Sequence, residues 1–311
     1  MFNLKVALSV VSNRFNKTIN NEGSNKKYFN PLSAKVYRQL VVFSESILIA
    51  KTLGKRLELI NDELLRTNTP KYIKGLSRLK DGLLNQFKNE TFNTIFRKGN
   101  SKLPFFKYGT LPLVNCGGKN ECVNYCYSTK SWRHYNPFIR QLMNTIIERE
   151  HFHLIESALS KLLTPNNRRK QIETFRLFVD GDFSSIQLYR NWMILVSRFP
   201  NTQFYGYSKS LNYFYEYPNI VPNNYKLNIS NGSIYDNNTE MIDSLLAMPF
   251  CRGRFDAIKA DNKRDALLKL KIKYPNNKVL ICPDLCGSCT NIGHACGSDK
   301  FKDYVIGIIV H

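Results

Sequence analysis

The chain has 311 residues, 43% of them hydrophobic and 22% charged, and its 45 basic against 24 acidic residues give a formal net charge of +21. That length supports one large or two small globular units with a sizeable core, and the composition is that of a folded chain rather than a disordered one. No run of 18 apolar residues occurs, which excludes an ordinary transmembrane helix, and the opening "MFNLKVALSVVSNRF" lacks the apolar core and cleavage site of a signal peptide.

Residues 1 to 30 end in a polar, Asn/Lys-rich stretch and read as an arm. From about Ala34 to Leu65 the apolar residues fall at helical spacing, "NTP" at 68 to 70 breaks the pattern, and a second helical stretch follows from about Tyr72 to Phe96. These residues, 1 to 97, form an N-terminal arm and helical region. The texture then changes. "GNSKLPFFKYGTLPLVNC" has the Gly and Pro punctuation of loops and short strands, and a helix is expected from about Asn136 to Leu163. "FRLFVDG" (175 to 181) reads as a buried strand, "SSIQLYRNWMILVSRFP" (184 to 200) as an amphipathic helix and "TQFYGYSKS" (202 to 210) as the next strand. Strand, helix and strand at that spacing make a βαβ unit with a parallel sheet. "YKLNISN" (225 to 231), "KVLICP" (278 to 283) and "YVIGIIVH" (304 to 311) continue the strands, with a helix over "DNKRDALLKLKIKYP" (261 to 275). Residues 98 to 311 are therefore expected to form an α/β domain, a partial barrel or an open parallel sheet, preceded by the helical region. Function in such folds gathers in loops beyond the carboxyl ends of the strands.

Seven of the eight cysteines lie in two short segments. In a cytoplasmic chain, which the absence of an export signal leads us to expect, close spacing favours metal chemistry over disulfides. Cys116, Cys122 and Cys126 are spaced C-x5-C-x3-C. Three local thiolates can hold an iron–sulfur cluster with one position open, or a zinc completed by His134 or a later cysteine. Cys282, Cys286, Cys289 and Cys296, beside His294, are a complete set of four ligands for either zinc or a second cluster. Cys251 has no close partner in the sequence and reads as a buried thiol or a distant ligand. In "VDGDFSS", Asp180 and Asp182 flank Gly181 at a strand end. They either contact a ligand or form a strand-to-helix turn in which Asp182 or Ser184 caps the next helix. His151 and His153 have the His-x-His spacing of rolling-circle nickases, but helical surroundings would point the two side chains apart. The net positive charge favours a DNA or RNA partner, against the plainer reading of a lysine- and asparagine-rich chain.

Several of these segments together resemble the phage "gene product 88" family: "GNSKL", "LPLVNC" and "CVNYCY" at its opening, "FRLFVDGDFSSIQLYRNWMILVSRFPNTQFYGYSKS" in its centre, and "CPDLCGSCTNIGHAC" with the terminal "IGIIVH" at its close. The resemblance covers about residues 98 to 311. That family is similar in pattern to radical S-adenosylmethionine enzymes, in which three cysteines hold a four-iron cluster whose fourth iron chelates the cofactor. The resemblance implies a 4Fe-4S cluster at Cys116, Cys122 and Cys126, contacts to S-adenosylmethionine from Gly181 and Asp182 and from Ser208 and Lys209, and a second cluster or zinc at the later cysteines. The first spacing departs from the C-x3-C-x2-C of those enzymes. Two readings follow. One is a radical S-adenosylmethionine-like enzyme acting on an unknown substrate, with nucleic acid a candidate. The other is a non-catalytic nucleic-acid-binding protein of phage replication or host takeover with structural zinc or a structural cluster.

Overall fold

The computed structural model describes residues 31–100, 102–126, 128–166, 171–286, 289 and 294–309. The arm expected over residues 1 to 30, Tyr127 and the terminal Val310 and His311 lie outside them. Helix α1 (Pro31–Ile49) and α2 (Leu53–Arg66) replace the single helix expected over 34 to 65. The break is local: Thr52 turns extended and its hydroxyl accepts the Lys55 amide, which starts α2 afresh. Helix α3 (Pro70–Leu84) begins on a proline, which fits a first helical turn. The helix expected to reach Phe96 stops there instead, because Gln86 and Phe87 adopt left-handed backbone (φ 54° and 59°) and fold the Phe87 ring against Gly82. A short turn, α4 (Phe92–Ile95), leads into the sheet.

Among the described residues eight strands follow: β1 (Arg97–Asn100), β2 (Leu103–Lys107), β3 (Thr174–Arg176), β4 (Gln203–Ser208), β5 (Tyr225–Ser230), β6 (Cys251–Ile258), β7 (Val279–Ile281) and β8 (Val305–Ile309). They form one open sheet in the order β1-β2-β3-β4-β5-β6-β8-β7, in which the β1–β2 pair is antiparallel and every other pair parallel. The crossovers carry α5 (Tyr135–Glu150), α6 (Phe152–Leu163), α7 (Ile186–Ser197), α8 (Leu211–Glu216), α9 (Thr239–Ala247) and α10 (Lys263–Lys273). From β2 to β6 the parallel strands follow one another in space as in sequence, so crossovers of one hand keep their helices on one face, whereas β8 inserts between β6 and β7 and the last crossover runs back the other way. The fold is thus the expected α/β class, with β6, α8 and α9 added to the elements read from the sequence. The helix expected over 136 to 163 is broken at His151, whose backbone leaves the helical region (φ −138°, ψ 42°).

The two faces of the sheet differ, because alternate side chains on a strand point opposite ways. Phe175, Phe204, Tyr225, Leu227 and Ile229 join the large core under the helices. Tyr205 lies on the other face, packed with Cys289, Ala295, Cys296 and Ile306. That second face carries the described residues of the C-terminal cysteine segment. The N-terminal helices share the large core: Leu40, Ile47, Ile60 and Leu76 belong to the same cluster as Phe175 and Leu227. The expected boundary between residues 97 and 98 falls inside β1. No helix among the described residues is long and apolar enough to cross a membrane.

Helix α3 docks on α5 through Gly75, where an added Cβ would stand 2.8 Å from Ile139 Cγ1, whereas Gly54 in α2 has nothing within 4 Å. Gly75→Leu should therefore lower stability by about 1–3 kcal/mol through overpacking, and Gly54→Ala should raise it by up to about 1 kcal/mol through helix propensity alone. Thermal or urea unfolding of the two variants checks the pair.

Candidate functional site

The loop after β2 carries the first cysteines and is laid across the ends of β4 and β5. Asn115 roots it: its fully buried amide donates to Thr110 Oγ1 (3.0 Å) and Glu148 Oε2 (2.8 Å) and accepts from Arg149 (2.8 Å). Gly118 presses on the Lys209 backbone so closely that a Cβ would sit 1.7 Å from the carbonyl oxygen. Asn120 and Cys122 donate their amides to Gly232 O (3.0 and 3.3 Å), Ile234 donates to Gly118 O (3.0 Å), and Lys119 bridges Ser233. Cys116, Cys122 and Cys126 consequently share one neighbourhood. Burial pushes the Cys116 thiol far above its ordinary range, and Asp182, Cys126 and Cys122 add to it. Burial also raises Cys122, which Lys209 opposes. Lys119 reaches back to Cys116 O (2.9 Å).

Gly181, Asp182, Ser208 and Lys209, the expected cofactor contacts, come together beside these thiols at the ends of β3 and β4. Gly181 needs its positive φ of 78°, and a Cβ there would meet Thr110 Oγ1 at 2.0 Å. Asp182 is buried. Its Oδ1 accepts from the Phe183 amide (2.8 Å) and Ser208 Oγ (2.9 Å), and its Oδ2 from the Lys209 amide (2.7 Å) and the Ser210 amide (3.2 Å). Burial raises its pKa, and those bonds pull it back. The carboxylate thus ties the loop after β3 to the loop after β4. It does not cap α7, and neither does Ser184: Ser185 does, accepting the Leu188 amide at 3.2 Å. Lys209 Nζ donates to Ser230 Oγ (2.7 Å) and adds β5 to the tie.

The second cysteine group lies on the face of the sheet opposite the helices. Cys282 directly follows β7 and donates its amide to Gly307 O (2.7 Å), Cys286 N donates to Lys102 O (2.7 Å), Cys289 Sγ accepts the Ala295 amide (3.3 Å), and Cys296 O accepts from Asn228 Nδ2 (2.9 Å). Burial pushes the Cys282 thiol up to about 12, with Cys296 and Cys286 adding, and burial likewise raises Cys286 and Cys296, with Cys289 adding to both. His294 packs its ring against Tyr205 and Phe105 (4.6 and 4.7 Å between centroids). Burial, with Arg176, pulls its pKa down to about 4, so it is neutral near pH 7, and its buried Nε2 has no hydrogen-bond partner among the described residues.

Two guanidiniums face this group. Arg252 is fully buried and donates to Asn228 Oδ1 (2.7 Å), Tyr304 O (2.7 Å) and Arg254 O (3.0 Å). A bulge puts it there: the pairing shifts register at Leu227/Asn228, and Gly253, at φ 139°, lies so close to Tyr304 O that a Cβ would be 2.7 Å away. Arg176 stacks on the Tyr207 ring at 4.7 Å. Both cations favour a charged Cys296. Neither arginine was singled out from the sequence; the alternation of Tyr205 and Tyr207 on β4 was the available signal.

The two groups are thus distinct places sharing β4, with Tyr205 and Tyr207 against the second and Lys209 against the first. At ~3.3 Å per extended residue, Tyr205 and Lys209 are about 13 Å apart. Cys251 lies in the helix-side core, where burial pushes its thiol up to about 11. His151 and His153 stand at the α5–α6 break with ring centroids 6.2 Å apart. No three His, Cys, Asp or Glu side chains among the described residues are arranged to hold a metal ion.

A family model described as gene product 88 matches residues 63–301. The chain belongs to the phage gene product 88 family. The match starts at Glu63 in α2, so the family pattern takes in α3 and α4 as well as the sheet that the sequence segments marked. No curated protein and no solved structure matches the chain.

Glu148 supports the loop from below. Its carboxylate accepts Trp192 Nε1 (2.8 Å) as well as Asn115, and burial, opposed by those bonds, raises its pKa from 4.5 to about 7. A carboxyl group with a raised folded pKa stabilises fully below its unfolded value and loses that contribution as pH rises through the folded value. Wild-type stability should therefore fall by an amount on the order of 3 kcal/mol from this group between pH 4.5 and pH 7. Glu148→Gln should flatten that slope, as read from urea midpoints across the range, even where the lost Asn115 bond lowers the absolute value.

Proposed function

We propose that this member of the gene product 88 family is an iron–sulfur protein with a radical S-adenosylmethionine-like site at Cys116, Cys122 and Cys126, and a second metal centre, a cluster or zinc, at Cys282, Cys286, Cys289 and Cys296. The observation that carries the reading is the sorting of seven thiols into a group of three beyond the carboxyl ends of parallel strands and a group of four on the face of the sheet opposite the helices. Free thiols packed this way raise one another's pKa and resist ionisation. A bound cationic metal or cluster removes that penalty, because metal ligation takes the thiolate form.

Charge supports both assignments. Four thiolates around zinc leave a net double negative charge, and Arg176 and Arg252 supply two positive ones on the buried side. At the first group, Lys119 and Lys209 stand beside the thiols. When bound, a four-iron cluster with three cysteine ligands offers an open iron and a one-electron reductant for a sulfonium cofactor. The chain's own residues do the positioning. Asp182 fixes the strand-end loops, Gly118 allows the cysteine loop to seat on Lys209, and the Lys209 ammonium is held toward β5. Gly181, Ser208 and Lys209 stand where the cofactor contacts are proposed. Asp182 acts through these loops, since its oxygens already accept four donors.

The net charge of +21 favours a second reading, a non-catalytic DNA- or RNA-binding protein in which both centres are structural. The two separate on one experiment. The anaerobically reconstituted, reduced chain should show an EPR signal that changes on adding S-adenosylmethionine; Cys122→Ser should lose the change and Cys289→Ser should keep it. An unchanged signal in the wild type would remove the radical reading and leave the structural one.

A further inference from the structure

A cavity of about 170 Å³ opens between β1, β2, the loop after β3 and helix α5. Its neutral polar groups are committed internally. Gln141 accepts Trp132 Nε1 (2.7 Å) and donates to Asp180 Oδ2 (2.8 Å), while Asn144 donates to Ile95 O (3.1 Å) and Gly109 O (2.9 Å). Its cations are not. Arg97, Lys107 and Arg140 line it, and none of the three makes an ion pair or side-chain hydrogen bond among the described residues. Against them stands one carboxylate, Asp180, leaving two uncompensated positive charges. Such a concentration is costly without an anion. Burial lowers Lys107, with Asp180 opposing and Arg176, Arg140 and Arg97 adding to the fall, and burial with Arg97 lowers Arg140 to about 10.

The size selects the ligand. Whole small-molecule ligands usually need pockets of about 300 Å³ or more, and this cavity falls well short of that. Guanidinium and ammonium groups around so small a space suit a phosphate oxyanion. We infer that the cavity is a phosphate site that takes a terminal phosphate dianion, free or as the monoester end of a larger substrate, between Arg97, Lys107 and Arg140. Two uncompensated charges match a dianion better than the single charge of an internal phosphodiester. The inference goes beyond the metal reading and does not depend on it, because no cysteine lines the cavity.

The test uses the full-length chain. Thermal unfolding in sodium phosphate, against sodium chloride at equal ionic strength, should show a higher Tm in phosphate. The Arg140→Met/Lys107→Met variant should unfold at a higher Tm than wild type in chloride, since like charges are removed, and should need at least about tenfold more phosphate for the same shift. Arg97→Met, on the edge strand, should weaken the phosphate response similarly if the double variant does not fold. A short oligonucleotide with a 5′-phosphate should bind more tightly than its 5′-hydroxyl form, with the difference lost in the variants. Equal Tm in phosphate and chloride would overturn the site, and equal binding of the two oligonucleotides would overturn its assignment to a terminal phosphate. Each result can be obtained whether or not the cysteines carry metal.

Discussion

Four hydrogen bonds to the buried carboxylate of Asp182 hold together the end of the sheet on which the candidate site is built. An unpaired carboxylate in such a place would cost several kcal/mol. Asp182 avoids that by gathering the Phe183, Lys209 and Ser210 amides and the Ser208 hydroxyl. Those donors come from two loops, so satisfying one charge fixes the relative position of β3 and β4. The cysteine loop then rests on the fixed surface, with Gly118 against the Lys209 carbonyl and two amides on Gly232. Below it, Glu148 performs a parallel task, joining Asn115, and so the start of the loop, to Trp192 of α7. The helices matter to the site chiefly through that second carboxylate.

The same logic, with sign reversed, organises the face of the sheet opposite the helices. Here the buried charge is a cation, Arg252, satisfied by two carbonyls and the Asn228 amide oxygen. Asn228 in turn donates to Gly206 O (3.1 Å) and Cys296 O (2.9 Å), so it binds β4, β5, β6 and the cysteine segment at once. A parallel sheet normally buries both faces. In this protein the helices cover one, and Cys289, Ala295 and Cys296 of the C-terminal cysteine segment pack on part of the other.

Much of this was legible in the sequence, and the reasons for the rest are specific. The βαβ rhythm from Phe175 to Ser210 and the two cysteine groups follow from period and spacing, and their order carried the family resemblance. Helix breaks at Thr52, Gln86 and His151 were not legible, since each depends on a single residue's backbone within an otherwise helical pattern. The placement of Asp182 beside Cys116 was suggested by its strand-end position, but its four donors were not, because they come from residues up to 28 positions away in the chain. Arg176, Arg252, Lys107 and Arg140 looked like four among 45 basic residues. Only the register of the sheet gathers the first two over the second cysteine group, and only the approach of α5 to β2 brings the other two into one cavity.

The central claim is that the thiols form two independent metal centres. Iron, sulfide and zinc quantified in the anaerobically purified chain, in Cys122→Ser and in Cys289→Ser, test it most directly. The account predicts iron and sulfide in the wild type. It predicts that Cys122→Ser loses the metal of the first group and keeps that of the second, and that Cys289→Ser does the reverse. Emptying of both centres by either substitution, in a chain that still unfolds cooperatively, would contradict it, as would zinc alone in the wild type.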